Sequence, residues 1–131
     1  MAGPPALPVP PSVARTALIG LRGALGVGWF APQRLAGLFG LPEVDGTSTY
    51  LLRLFAVRDA ALGALLATSS AESRALHLKV GMAIDAADSA AGAIALVTRK
   101  VPARPALMAT LTAAFAVGLG AAALAGEQRP A

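Results

Sequence analysis

The stretch PALMATLTAAFAVGLGAAALAG, residues 105–126, contains no charged side chain. An α-helix rises about 1.5 Å per residue, so about 20 apolar residues cross the roughly 30 Å hydrocarbon core of a bilayer. A helix over about 105–125 therefore has the length and composition of a transmembrane span. A helix that is apolar on all sides lies in lipid or inside a large core, and a chain of 131 residues is too short to supply such a core.

Three further apolar segments of similar length precede this span, at about 13–30, 48–68 and 74–98. The connections between the last three segments are short, which suits antiparallel neighbouring helices. A soluble helical bundle is the alternative, because the first three segments carry charges. Soluble bundle helices need a broad polar face, however, and these segments have only a few charged positions. The sequence therefore predicts an all-α fold, a four-span antiparallel transmembrane helix bundle.

The longest connection, residues 31–47, has the features of a short helix. Pro32 suits the first helical position, and Gly40 and Pro42 are typical of a helix end. A short interfacial helix after span one is expected here, with an ordinary loop as the alternative. The predicted organisation is a disordered Pro-rich leader over 1–11, a four-helix membrane domain over 12–126 and a tail over 127–131.

The composition agrees with a membrane location. The chain is 56% hydrophobic and 14% charged, whereas a soluble domain carries about 25% charged residues. A strong Ala, Gly and Arg bias with only two lysines is typical of a GC-rich bacterial genome. The predicted location is thus the cell membrane, multi-pass, which is the inner membrane of a bacterium. The lipid bilayer is the predicted partner, and a homo-oligomer is compatible with the small size.

Several other classes of partner and site are not predicted. The net charge of +4 comes from scattered basic residues without interleaved aromatic residues, so no nucleic-acid partner is expected. The absence of cysteine excludes disulfides and thiolate metal sites. His77 is the only histidine, and no metal site or cofactor is predicted. Membrane orientation stays undecided, because each side of the predicted bundle carries four basic residues.

Six charged residues lie within about five residues of the centres of the first three predicted spans. Near the bilayer centre a single charge costs about 2.5–3.5 kcal/mol on insertion scales, so such residues usually face the protein interior and are paired. Three arginines and three aspartates allow three ion pairs, and arginine suits bidentate carboxylate pairing. The members of this set are Arg22, Arg53, Arg58, Asp59, Asp85 and Asp88.

The helical spacing of these residues predicts which faces meet. Gly81, Asp85, Asp88 and Gly92 follow the spacing i, i+4, i+7 and i+11, which is one helical face. Adjacent residues point about 100° apart on a helix, so Arg58 and its neighbour Asp59 are expected to meet different helices.

A small-residue seam for close packing is also expected along the first segment, at Gly20, Ala24 and Gly28.

The motifs LLRLFAVRDAALGALLA (51–67) and DAADSAAGAIAL (85–96), with the connection FAPQRLAGLFGLP (30–42), resemble a family of membrane proteins. This family consists of small, largely uncharacterised four-helix integral membrane proteins of actinobacteria, with an Arg-x4-Arg-Asp motif on the second helix and an Asp-x2-Asp motif on the third. The resemblance covers roughly residues 13–125 and implies a four-helix membrane fold, without an activity. The matching positions are Arg53, Arg58, Asp59, Asp85 and Asp88.

Three functions remain open at this point. The first is binding of, or action on, a lipophilic small molecule, with aspartates as candidate catalytic acid or base and arginines as ion-pair partners or ligand-positioning groups. The second is a structural or interaction subunit of the membrane, in which the charges only fix helix packing. The third is a small proton-linked transporter. The candidate acid or base residues are Asp59, Asp85 and Asp88, and the candidate binding residues are Arg22, Arg53 and Arg58.

Overall fold

A computed structural model describes residues 9–129, and within this range the chain forms five helices and no strand. The all-α prediction is confirmed. Residues 1–8 of the predicted leader and residues 130–131 of the predicted tail lie outside the described range. The helices are α1 (Pro11–Val27), α2 (Pro32–Phe39), α3 (Gly46–Ala67), α4 (Ala71–Thr98) and α5 (Ala103–Glu127).

Local sequence explains where the shorter elements begin and end. Pro32 occupies the first turn of α2, and Gly40 ends that helix in the left-handed conformation at φ 76°. The helix predicted within residues 31–47 is therefore present. Asp45 caps α3 by accepting a hydrogen bond of 2.7 Å from the backbone N–H of Ser48. This hydrogen bond to the ionised carboxylate lowers the pKa of Asp45 below its usual 3.8.

The long helices alternate in direction. Arg15 at the start of α1 and Arg74 at the start of α4 both contact Glu127 at the end of α5, at 3.5 and 3.3 Å. We call this the Glu127 end of the bundle. At the other end, the Trp29 end, Arg53 Nε donates to the carbonyl oxygen of Trp29 at 3.3 Å. Successive long helices therefore run antiparallel, as predicted from the short connections.

Helix packing is uneven around the bundle. α1 packs between α3 and α5, and α4 packs along α5, whereas α3 and α4 have little direct contact. A core of small and aliphatic side chains fills the Glu127 end, including Leu18, Leu66 and Leu78. Toward the Trp29 end, two cavities take the place of such a core between α3 and α4. A cleft therefore opens between these two helices, and the charged residues lie at its base.

Two of the five helices, α4 and α5, are long and apolar enough to cross a membrane. α1 has 17 residues, which is about 25 Å of helix and short of a full hydrocarbon core. Every 18-residue stretch of α3 contains Arg53, Arg58 and Asp59. The length and composition of α1 and α3 thus do not show four spans by themselves: the predicted segment 13–30 extends three residues past the end of α1, and the segment 48–68 contains three charges near its centre.

Candidate functional site

Arg22 lies at the centre of a buried ion-pair network. The inward face of α1 repeats every four residues, and Arg22 on this face is only 3% exposed. Its Nη1 donates to Asp59 Oδ1 on α3 at 2.9 Å and to Asp85 Oδ1 on α4 at 3.3 Å. Its Nη2 donates to Asp85 Oδ2 at 2.6 Å. One guanidinium group therefore joins three helices, and it holds Asp85 in bidentate geometry.

Two glycines make room for this guanidinium group. A Cβ atom at Gly63 would lie 3.0 Å from Arg22 Cβ, and one at Gly81 would lie 2.9 Å from Arg22 Nη2. Because neither residue has a side chain, α3 and α4 approach the arginine closely enough for direct hydrogen bonds. The face predicted on α4 is thus correct, since Gly81, Asp85 and Gly92 are all buried.

A second ion pair lies between Arg58 on α3 and Asp88 on α4. Arg58 Nη1 and Nη2 donate to the two carboxylate oxygens of Asp88 at 3.2 and 2.5 Å. The two side chains are 35% and 32% exposed, so this pair lies at the open side of the cleft. The guanidinium group of Arg58 also stacks 5.2 Å from the ring centre of Phe55. Arg58 and Asp59 meet different helices, as their angular separation predicts.

Arg53 is outside the network, and the prediction of three Arg–Asp pairs is wrong. Its guanidinium group lies 5.4 Å from the ring centre of Trp29, and the residue is exposed. Arg53 precedes Arg58 by five residues, which rotates its side chain by about 140° around the helix, away from α4. Three carboxylates therefore meet two guanidinium groups, and one carboxylate is in excess.

Of the three carboxylates, Asp59 accepts the fewest hydrogen bonds. Its Oδ1 accepts a hydrogen bond from Arg22, but its buried Oδ2 has no hydrogen-bond partner among the described residues. The nearest guanidinium nitrogen of Arg58 lies 3.9 Å from Oδ2, beyond hydrogen-bond distance. Arg58 Nε and His77 Nδ1 are also buried without a hydrogen-bond partner in the part of the chain that the structure describes. Buried polar atoms are rarely left unpaired, because an unmade hydrogen bond is costly.

A cavity of about 230 Å³ adjoins the network. Arg22 and all three aspartates form its polar wall, and small residues of α5 such as Ala113 form the opposite wall. A second cavity of about 270 Å³, lined by apolar residues, continues toward the Trp29 end. The residues that line both cavities are Phe39, Phe55, Gly92 and Ala109.

The apolar lining residues were not predicted from the sequence. Phe55 precedes Asp59 by one helical turn, and this spacing was a usable signal that it shares a wall with the carboxylate. Ala109 lies in the charge-free stretch of α5, where nothing distinguishes it from neighbouring alanines. Phe39 comes from α2, and no local pattern indicates that α2 reaches the network.

The arrangement combines three carboxylates with an apolar space. The candidate acid or base residues Asp59, Asp85 and Asp88 are brought together as predicted, together with Arg22 and Arg58. Within residues 9–129 there is no group of His, Asp and Glu side chains arranged to hold a metal ion. Chemically, the site offers hydrogen-bond acceptors and negative charge to the polar end of a molecule whose remainder is apolar.

No family model, curated protein or solved structure matches the chain. The resemblance to actinobacterial four-helix membrane proteins therefore stays a prediction, and any function has to be argued from the network and its cavity.

Proposed function

We propose that this chain is a four-span integral membrane protein of a bacterial cell membrane that binds a lipophilic small molecule in the cavity beside Arg22. The observation that carries the proposal is the cavity itself. One wall consists of charged side chains from α1, α3 and α4, and the other lining residues are apolar except for Thr112. Small-molecule sites typically combine mostly apolar walls with a few polar groups that orient the ligand.

The distribution of polarity supports a membrane location. Arg22, Asp59 and Asp85 are buried, whereas large apolar side chains are exposed on all five helices. Only 17% of the most apolar stretch of α4 and 33% of that of α5 is buried. The core helix of a soluble protein is mostly buried, so these two helices have the exposure expected of helices in contact with lipid.

The charges on α1 and α3 do not argue against spanning. The cost of a charge in the hydrocarbon core falls when it is paired inside the protein, and Arg22, Asp59 and Arg58 all have ion-pair partners on neighbouring helices. Arg53 lies near the Trp29 end, where a long side chain can reach the interface. α1 runs parallel to α4 and α3 runs parallel to α5, so both helices share the axis of the two helices that are apolar enough to span.

We place α2 in the membrane interface at the Trp29 end. Its buried side, including Leu35 and Ala36, packs on the bundle, while Gln33 and Arg34 are exposed. Trp29 and Tyr50 flank this region and are exposed, as aromatic residues at a membrane interface usually are. In this position α2 and the loops beside it cover one end of the two cavities.

A binding experiment tests the proposal. The probe is 1-adamantanol, a compact apolar cage with one hydroxyl group, added to the protein in lipid nanodiscs and followed by ligand-detected NMR. Ala109→Phe puts a large ring into the wall shared by both cavities and is expected to abolish saturable binding. Ala121→Phe, at an exposed position of the same helix, is the matched control and is expected to bind as wild type does. Equal binding by both variants, or none by wild type, would refute binding at this cavity.

A structural role is the second candidate, because Arg22 is almost fully buried and tied to two helices at once. In that role the network fixes helix packing, and every member contributes to stability. A purely structural network has no reason to retain a carboxylate that does not contribute to stability. The structural role is therefore contradicted if the removal of one carboxylate leaves the stability of the protein unchanged.

A further inference from the structure

We infer that the ligand of this cavity is a lipophilic organic ammonium ion, a cation with N–H donors on a compact apolar body. The inference rests on the proposed function and specifies its ligand class. It follows from the charge of the cavity wall, one unpaired oxygen atom and the shape of the apolar space.

With all three carboxylates ionised, the network has one formal negative charge in excess. Three carboxylates share two guanidinium groups, and no other basic side chain within residues 9–129 lies within 4.0 Å of those carboxylates. In an environment that excludes water, an unpaired charge is costly unless a counterion is present. A bound monocation makes the set neutral, whereas an anion adds to the excess.

Asp59 gives this cation a specific partner. The residue is 3% exposed and lines the cavity, and its Oδ2 atom has no hydrogen-bond donor within the described part of the chain. Arg22 does not supply one, because its hydrogen bonds go to Asp59 Oδ1 and to Asp85. Asp59 Oδ2 is itself buried beside the cavity, so an N–H group of the ligand reaches it when the carboxylate turns toward the cavity, and then supplies a charge-assisted hydrogen bond.

The other unpaired atom near the site does not favour an anion. Among the described residues, Arg58 Nε is a donor without a partner, but Arg58 is not part of the cavity wall, whereas Asp59, Asp85 and Asp88 are. A ligand that enters the cavity therefore meets three carboxylates and the guanidinium group of Arg22, which makes three hydrogen bonds to two of those carboxylates. The wall accepts hydrogen bonds and repels negative charge.

The apolar part of the site suits a compact body next to the ammonium group. Phe39 and Phe55 line both cavities with their rings edge to face, 6.0 Å between centres. Aromatic faces attract cations as well as hydrocarbon. The cavity beside the network, about 230 Å³, holds a cage or ring rather than a long chain, and the second cavity receives a further substituent.

Three probes with one body and different head groups test this inference. They are 1-adamantylammonium, 1-adamantanol and 1-adamantanecarboxylate, titrated into wild-type protein in nanodiscs, with empty nanodiscs as the partition control. We expect the ammonium ion to bind about tenfold or more tightly than the alcohol, because it adds charge compensation to the same hydrogen bond. We expect no saturable binding of the carboxylate.

Asp59→Asn identifies the group responsible. This variant keeps an oxygen acceptor and the side-chain shape but removes the excess charge, so the preference for ammonium over alcohol should fall to about threefold or less. Binding of the alcohol should persist, which also shows that the variant is folded. Ala109→Phe should abolish binding of both compounds.

Each other outcome overturns the inference in a distinguishable way. If the alcohol binds as tightly as the ammonium ion to wild type, the site takes neutral lipophiles, and the proposed function stands without the charge preference. If the carboxylate binds best, the wall attracts anions and the charge argument is wrong. If no probe binds, ligand binding at this cavity fails together with the inference. An ammonium preference that persists in Asp59→Asn would show that Asp59 is not its source.

Discussion

Arg22 on α1 and Asp85 on α4 form a bidentate ion pair, with Nη2–Oδ2 and Nη1–Oδ1 distances of 2.6 and 3.3 Å. The same guanidinium group also donates to Asp59 on α3. The centre of the bundle is therefore organised by one arginine, and the stability of the fold and the properties of the cavity both depend on it.

Arg22→Met is expected to destabilise the protein by about 3–5 kcal/mol, because it strands two carboxylates in a buried place. Arg53→Met is the control, since Arg53 is exposed and its loss should cost about 0–1 kcal/mol. The measurement is the unfolding free energy from SDS titration in mixed micelles. Similar costs for the two substitutions would show that the network does not hold the bundle together.

Asp85→Asn and Asp59→Asn are expected to differ in stability although both residues are buried. Asp85 accepts two hydrogen bonds from Arg22, so its replacement should cost about 1.5–3 kcal/mol. Asp59 accepts one hydrogen bond and carries the unpaired oxygen, and its amide keeps an acceptor while removing the excess charge. Asp59→Asn should therefore lie within about 1 kcal/mol of wild type or be more stable.

The same SDS titration distinguishes a ligand site from a purely structural network. A large loss of stability in Asp59→Asn, equal to that of Asp85→Asn, would favour the structural role. Unchanged stability would show that Asp59 is retained for something other than folding.

Gly26→Val is expected to weaken the contact between α1 and α3. A Cβ atom at Gly26 would lie 2.8 Å from Ala60 Cβ and 3.1 Å from Ala60 Cα, so the helices must separate, at a cost of about 1–3 kcal/mol. Gly20→Val is the control on the same helix, because no atom lies within 4 Å of its added Cβ. If Gly20→Val is the more destabilising change in thermal unfolding, the packing of α1 described above is incorrect.

Asp45 should give the protein an acid-dependent contribution to stability at the start of α3. Its pKa is lowered in the folded state because the Ser48 backbone N–H donates to the carboxylate. The stabilisation is therefore present above pH 3.8 and is lost as the pH falls through the lowered pKa. Asp45→Ala should reduce stability at neutral pH and narrow the difference from wild type in acid. A difference that stays constant with pH would contradict this role for the carboxylate.

Much of the helical organisation was predictable, because uninterrupted apolar segments with short connections determine it. The inward face of α4 was also predictable, since Gly81, Asp85 and Gly92 share one helical face whatever packs against it. The position of Arg53 outside the network was not predictable in this way. Equal numbers of arginines and aspartates say nothing about the angle at which each side chain leaves its helix. That angle matters only once the neighbouring helices are in place.

The packing seam on α1 shows the same limit. Of the three residues expected to form it, Gly20 and Ala24 are exposed, and Gly28 is buried against Leu35 of α2. The buried face of α1 consists of Ala14, Leu18, Arg22 and Gly26. Both sets follow the same four-residue spacing, so spacing alone cannot choose between them. The buried arginine decides which of the two sets faces the interior of the bundle. Because Arg22 faces inward, Gly26, one helical turn later, must also face α3. The cavity depends on five helices at once and had no local signal.

Single-cysteine topology mapping is the most direct test that the Arg22 network lies inside a four-span membrane bundle. The chain has no native cysteine, so each introduced thiol reports on one site. The exposed positions Ser12 and Glu72 belong to the Glu127 end, and Gln33 and Lys100 belong to the Trp29 end. Each is replaced by cysteine and labelled with a membrane-impermeant maleimide in oriented vesicles.

We expect Ser12→Cys and Glu72→Cys to be labelled from one side of the membrane, and Gln33→Cys and Lys100→Cys from the other. That result requires α1, α3 and α4 all to cross the bilayer with the ion pairs between them. Labelling of Ser12→Cys, Gln33→Cys and Glu72→Cys from the same side, with only Lys100→Cys opposite, would mean that α4 crosses and that α1 and α3 do not. Arg22 would then lie outside the membrane, which would contradict the account.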